Sequence, residues 1–497
     1  MSLNVIVLLF YFGILLAIGV FASRKVKGLA DFYVGGKDLG YWVVAFSTRA
    51  TGESAWLLLG LTGMGALIGI SAFWVVAGEL LGVATAWFFM AKPFKEQTDK
   101  YNSITIPDYL VSRLQPKTNT LRMVAASTLA IFVTIYVSAQ IDATGSAFET
   151  FLGWNYYHGI LLGFGAVVLY IFIGGFVAVA WSDLFQGLLM LFGLVGLPIV
   201  AWYSVNNSTE ITDGLMKISP DLLSIWGSGG FSLHNIFGIL GLMLIGIGFL
   251  GSPQLFVRFI AVRNTEEIEK GKWVALFFTL LTDSSAVLIG LLGRFMFTEA
   301  GDAADQILGN GAQNVLPMLV EHVMPAFIAA IYVAVVLSAI MSTIDSLLVV
   351  ASSAITRDFY QQIFNPELKD NELAGISRYV TLGLAIVSLL IALAVSYFSP
   401  TRTIFWFVIF GWSGIAATFC PVIILSLFWK NYNISGALAS MISGFLCVPI
   451  FKFLGPEFPV VGPYLNQLNE LPPSFTVAIL VGIFVSLVTR PKSSGNG

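Results

Sequence analysis

Apolar runs of roughly 20 residues recur from Leu3 almost to the C-terminus, each long enough to cross the ~30 Å hydrocarbon core of a bilayer as a helix. Lipid offers no partner to a backbone N–H or C=O, so runs of this length predict a bundle of helices. About thirteen spans are read this way, near residues 3–22, 41–69, 72–91, 122–147, 155–175, 180–204, 235–261, 273–297, 325–354, 378–398, 403–428, 435–454 and 473–489. Composition agrees: only 11% of 497 residues are charged, against about 25% in soluble domains. The chain is expected to be an all-α, multi-pass protein of the cell (inner) membrane. The first run is too long for a signal-peptide core and lacks a small-residue cleavage site, so it is read as a retained helix. Cys420 and Cys447 both lie in apolar runs, which suggests neither a disulfide framework nor a metal cluster.

Twenty of the 25 Lys and Arg residues fall in the loops after spans 1, 3, 7, 9 and 11 and in the C-terminal tail, Lys25, Lys27 and Lys492 among them. Basic loops stay in the cytoplasm, so the N-terminus is predicted outside and the C-terminus inside. Spans 2–6 then start inside and spans 7–11 start outside, two five-helix units inverted in the membrane. The expected organisation is an extra helix and cytoplasmic loop over 1–40, a first repeat over 41–205 and an extracellular loop over 206–234. A second repeat follows over 235–430, with two helices and a short tail over 431–497.

Each unit opens with an interrupted helix. In the first the interruption is Ala50 to Ser54, inside a stretch, Ser47 to Gly60, that places Arg49, Glu53, hydroxyls and a glycine at bilayer depth, where a charge costs roughly 2.5–3.5 kcal/mol unless it meets a cavity, a partner or an ion. Arg49 and Glu53, at i and i+4, can also neutralise each other and hold the helix in shape. The second interruption is Gly251-Ser252-Pro253, where proline removes a backbone donor. Paired interruptions at corresponding places in two halves point to a transporter site. Span 9 adds Ala339, Ser342 and Thr343 at i, i+3 and i+4, on one helical face. Hydroxyls and carbonyls suit a hard, monovalent cation; otherwise such hydroxyls bond back to their own helix. Asp345 beside Ser346, and Asp183 at the start of span 6, are intramembrane carboxylates and so candidate ion-path residues. Glu79, Asp142 and Asp283 also lie within spans, and the sequence gives them no partners.

The chain resembles the sodium:solute symporter family, and within it the sodium/proline symporters. The resemblance runs through Ala50 to Gly60, Ile106-Pro107-Asp108-Tyr109, Gly174-Gly175-Phe176 with Trp181-Ser182-Asp183, Gly251-Ser252-Pro253 with Arg258-Phe259, and Leu337 to Tyr360. It implies a LeuT-type fold, a 5+5 inverted repeat with one extra helix before the core and two after it. It also implies sodium-driven import of a small organic solute by alternating access, with L-proline the leading candidate. By position, the family's sodium site falls on the Ala50 carbonyl, the position of Glu53, and Ala339, Ser342 and Thr343. A further sodium site of some members falls on Asp183, Asp345 and Ser346. Proline-contacting positions fall on Thr51, Ser54, Ala55, Trp56, Tyr136, Ile245, Phe249 and Pro253.

The sequence departs from that pattern at the centre. Gly52 stands where proline symporters have aspartate, Glu53 where they have a non-acidic residue, and Arg49 where they have a small one. Ile245 and Phe249 replace a tryptophan and a tyrosine. Arg49 can hold a substrate carboxylate in a bidentate pair, so another amino acid, an osmolyte or a monocarboxylate, carried with sodium or protons, is the alternative. An enzyme is not expected: no G-x-S-x-G and no H-E-x-x-H is present, and the three histidines, His158, His234 and His322, fall in or beside predicted loops. The expected partners are the solute, sodium and the bilayer, with no nucleic acid and no obligate protein.

Overall fold

The computed structural model describes residues 3–24, 28–205 and 208–490. Lys25, Lys27, Lys492 and the tail 491–497 lie outside the described residues. Among the described residues, eleven helical segments are long and apolar enough to cross a membrane. In two places this count and the thirteen expected spans divide the chain differently. The segment Tyr41–Lys100 is 60 residues long. Its first part opens with α2 (Tyr41–Ala55, after α1, Leu3–Ser23), continues through Ile68 and ends at Gly69 (φ 63°), and α3 (Phe73–Thr85) runs back from there. The return is visible at Gly271, where an added Cβ would lie 2.8 Å from the Trp87 ring and 3.5 Å from the Tyr41 carbonyl.

The second place is α5 (Tyr156–Ser204), whose 49 residues would make a straight rod of about 74 Å. It breaks at Gly175 (φ 56°, ψ −155°), whose Cβ position is filled by the Phe32 ring. The first half runs back along α4 (Thr120–Leu152), Tyr156 reaching Asp142 and Gly163 lying against Thr144. The second half packs on α9 (Ala326–Ser353), where Tyr332 Oη donates to the Gly193 carbonyl at 2.8 Å. Between them come α6 (Leu233–Met243), a tight 3-10 stretch (Leu244–Leu250), α7 (Pro253–Ala261) and α8 (Thr265–Phe297). The chain closes with α10 (Asp370–Phe398), α11 (Ile404–Phe428), α12 (Ile434–Pro449) and α13 (Leu471–Val488).

Small residues let the central helices touch backbone to backbone, as membrane bundles do in place of a hydrophobic driving force. A Cβ on Gly78 of α3 would lie 2.0 Å from the Met243 carbonyl, and one on Gly246 would lie 2.0 Å from the Gly78 carbonyl. That contact clamps α3 against the second interrupted helix and fixes Glu79 beside it. Large apolar side chains such as Phe10, Phe192, Leu390 and Phe484 cover the outside. The loops after spans 1, 3, 7 and 9 gather at one end of the bundle. There Leu39 N donates to the Ala261 carbonyl at 3.1 Å, Lys37 pairs with Asp99 at 3.3 Å, and Tyr33 Oη bonds Ser377 at 2.9 Å.

Candidate functional site

Both predicted interruptions are present. In α2 the break falls at Ser54, a non-glycine residue at φ 44° and ψ −168°, followed by a π turn over Trp56–Leu61. Such backbone costs about 1–3 kcal/mol and persists only where its surroundings hold it. Here Gln140 Oε1 accepts from the freed Ala55 N–H at 3.1 Å, while the Ser54 hydroxyl takes bonds from Trp56 N and Tyr136 Oη, each at 3.4 Å. In the second unit the 3-10 stretch stops at Gly251 (φ 154°), and Pro253 opens α7.

Beside the first break, α9 presents its polar face. Ser342 Oγ donates to the Ala50 carbonyl at 3.0 Å and Thr343 Oγ1 to the Thr51 carbonyl at 3.0 Å. Both hydroxyls also reach the Ala339 carbonyl at 3.2 Å. Five oxygens from two helices therefore converge with no nitrogen or sulfur among them, a donor set that fits a hard monovalent cation. Sequence reasoning had Ala50, Ala339, Ser342 and Thr343; the Thr51 carbonyl joins them. The Glu53 side chain stands elsewhere, bonded to Arg49, which also pairs with Glu79 at 3.1 Å, all three buried. One helical step rotates a side chain by about 100°, and the Glu53 carboxylate lies beside Glu79 and Asp283, away from the five oxygens.

Asp183, Asp345 and Ser346 also come together, but around a guanidinium. Arg258 of α7 reaches Asp183 at 3.0 Å, Ser47 at 3.0 Å and Thr51 Oγ1 at 2.9 Å, and it bonds Ser346 and the Gln254 carbonyl as well. Tyr170 Oη donates to Asp345 at 2.6 Å. A fixed cation thus occupies the space between these residues. Arg258 carried no assigned role in the sequence, since a membrane arginine near a span end is ordinarily a loop charge.

Thr51, Ser54, Ala55, Trp56, Tyr136, Ile245, Phe249 and Pro253 are all buried. Trp56 Nε1 donates to the Gly52 carbonyl at 3.0 Å, and the Phe249 ring lies 4.7 Å from the Arg49 guanidinium. Trp412 of α11 completes this aromatic wall: its ring is 5.0 Å from Phe249 and 6.5 Å from Tyr136, and its Nε1 donates to the Ile245 carbonyl at 3.1 Å. Nothing in its apolar surroundings marks Trp412 in the sequence. At the end of the bundle away from the basic loops, a cavity of about 630 Å³ is lined by Leu59, Asp142, Tyr156, Gln313 and Arg402.

A membrane helical bundle with two interrupted helices, one of which meets a further helix at a buried, oxygen-lined site, is the arrangement of an ion-coupled secondary transporter. A family model, the sodium:solute symporter family, matches residues 32–444. The high-affinity proline transporter PutP of Bacillus subtilis (strain 168) is 33% identical over 96% of this chain and 97% of its own. The sodium/proline symporter of Escherichia coli (strain K12) is 32% identical over 98% of this chain and 93% of its own. Among solved structures, an outward-open Na+-coupled sialic acid symporter superposes with a TM-score of 0.81 at 19% identity, covering 98% of this chain and 97% of that one. It shares the LeuT-type fold expected from the sequence. The chain belongs to the sodium:solute symporter family.

Proposed function

We propose that this protein imports a small zwitterionic solute, L-proline first among the candidates, together with sodium and by alternating access. The observation that carries the reading is the convergence of the Ala50, Thr51 and Ala339 carbonyls with Ser342 and Thr343 beside the break in α2. An ion held there bridges the interrupted helix to α9, and the same interruption exposes Ser54 and Trp56 towards the aromatic wall. Ion occupancy therefore biases the solute pocket, and the solute biases the ion site by the same factor. Curated relatives at 32–33% identity are named as proline transporters, which supports the choice of solute. Moving one positive charge inward across 100 mV supplies roughly 2.3 kcal/mol, about fifty-fold accumulation of a neutral solute before the sodium gradient is counted. The gathering of basic loops at one end supports an orientation with that end cytoplasmic, the N-terminus outside and the C-terminus inside.

A second reading, a sodium-coupled carrier of another amino acid, an osmolyte or a monocarboxylate, is favoured by one detail. Arg49 lies against Phe249 with its Nε and Nη1 unbonded, donors suited to a carboxylate. The deciding experiment is uptake of radiolabelled proline into proteoliposomes under an inward sodium or potassium gradient, with unlabelled amino acids and carboxylates as competitors. Sodium-dependent uptake blocked by cold proline establishes the first reading. Absence of sodium-dependent proline uptake, with sodium-dependent uptake of another solute when that solute is the one labelled, establishes the second.

A further inference from the structure

The helical stretch that follows the break at Ser54, residues 55–68, begins deep in the bundle, with Ala55 fully buried. A helix start carries a partial positive charge on N–H groups that lack helical partners, and interrupted membrane helices turn such ends towards anionic groups of their solutes. Here the first of those donors is already taken. Ala55 N–H is accepted by Gln140 Oε1 of α4 at 3.1 Å. Only the oxygen of a side-chain amide can accept such a bond, since its NH2 group is a donor, so this contact fixes which way the Gln140 amide faces.

The other end of that amide is bare. Gln140 is 0% exposed, and its Nε2 has no hydrogen-bond partner. Buried donors are nearly always satisfied, so one that is not calls for a reason. The two bonds of the amide, ~1.2 and ~1.3 Å, hold Nε2 within about 5.7 Å of Ala55 N. Tyr136 stands one turn earlier on the same face of α4, with its Oη on the Ser54 hydroxyl at 3.4 Å. Gln140 therefore borders the proposed solute positions Ser54, Ala55 and Tyr136. The next turns of α4 carry Asp142 and Ser146 into the lining of the outer cavity.

We propose that Gln140 Nε2 donates to the carboxylate of the solute. The amide passes on the positive end of the helical stretch: Oε1 accepts from Ala55 N–H, and an amide polarised in this way is a stronger donor at its nitrogen. The charge of Arg49 is met by Glu53 and Glu79, whereas Gln140 Nε2 is paired with no protein group. A solute without a carboxylate leaves that donor buried and poorly paired, so the same group selects against it. The inference rests on the zwitterionic solute proposed above and adds the residue that recognises one end of it.

The test is sodium-dependent uptake of radiolabelled L-proline into proteoliposomes, inhibited by unlabelled L-proline or by L-prolinamide, which keeps the ring and the carbonyl but has no negative charge. Wild type is expected to be inhibited at lower concentrations by proline. Hydrogen bonds to charged groups are roughly twice as strong as neutral ones. Gln140→Leu should therefore raise the inhibitory concentration of proline about tenfold or more and that of prolinamide by a smaller factor, which narrows the preference. Gln140→Glu keeps an acceptor for Ala55 N–H and puts a second acceptor where the free donor stood, so it should lose the preference with the break still capped. Sodium binding measured without solute reports that each variant is folded, and if Gln140→Leu fails there, Gln140→Glu decides alone. The wild-type preference retained in Gln140→Glu would overturn the role of Gln140 while leaving the proposed solute intact. No sodium-dependent proline uptake by wild type would overturn the proposed solute, and this assignment with it.

Discussion

Arg258 and Asp183 meet at 3.0 Å with both side chains wholly buried, and through them α7 is tied to the second half of α5. The same guanidinium reaches Ser47 and Thr51 on α2 and Ser346 on α9, so one side chain joins four elements at the centre of the bundle. Removing one partner of a buried pair strands the other, at a cost of about 3–5 kcal/mol. Arg258→Met and Asp183→Leu are each expected to lower thermal stability in detergent sharply. The double variant should be more stable than either single one, because it leaves no unpaired charge. Additive losses would mean that the pair does not act as a unit.

Sodium dependence should follow the hydroxyls of α9. Ser342→Ala or Thr343→Ala removes one oxygen from a set of five, an interaction of roughly 1–1.5 kcal/mol and so about five- to twelve-fold in affinity. The sodium concentration for half-maximal uptake is expected to rise by that factor. Trp56→Ala should act first on the half-saturating solute concentration, and sodium binding measured without solute should be unchanged by it. Unaltered sodium dependence in both hydroxyl variants, with the protein correctly inserted, would remove the ion site from this position.

The helical bundle and both interruptions were legible because lipid imposes one rule: long apolar runs become helices, and polar or proline-bearing stretches within them are exceptions with causes. Ser342 and Thr343 were legible from their spacing, which places both hydroxyls on one turn of one face. Glu53 shows the limit of such reasoning, since a residue number does not say which face of a broken helix it occupies. The partners of Glu79 and Asp283 could not be read, because pairing across helices depends on where Gly78 and Gly290 let backbones approach. Trp412 was hidden for a related reason: an apolar residue in an apolar run shows its role only through what it packs against.

The aromatic wall offers a test that separates solute from ion. A Cβ on Gly248 would lie 2.2 Å from the Trp412 ring, so Gly248→Ala must displace the indole from Phe249 and Tyr136. An aromatic pair contributes about 0.5–1.5 kcal/mol, so the solute concentration for half-maximal uptake should rise roughly two- to twelve-fold. Trp412→Phe should lose less than Trp412→Ala. Sodium binding without solute should be the same in all three, and a change there would place Trp412 in the ion site and not the solute pocket.

Arg402 and Asp142 pair in the lining of the cavity at the end opposite the basic loops. Arg402 sits in the turn between α10 and α11, where its Nε donates to Asp142 Oδ2 at 3.0 Å and its Nη1 to the Ser399 carbonyl at 3.0 Å. Tyr156 donates to the same carboxylate and accepts from Arg402 at 3.1 Å. The network therefore pins the start of α11 to α4 and α5. Below it, Phe405 packs on Trp56 at 6.3 Å and Leu59 lines the floor of the cavity. A parting of α11 from α4 that opened a route to Trp56 from that end would break these bonds. Hydrogen bonds to charged groups contribute about 1.5–3 kcal/mol, so losing them should favour the open arrangement tenfold or more. With Cys420 and Cys447 changed to serine, Leu59→Cys should react with a membrane-impermeant maleimide at least about ten times faster when Arg402→Ala is added. Arg402→Lys, keeping charge but not the fork, should fall between. Equal labelling with and without Arg402 would mean that the closure rests on Phe405 and Trp56 alone.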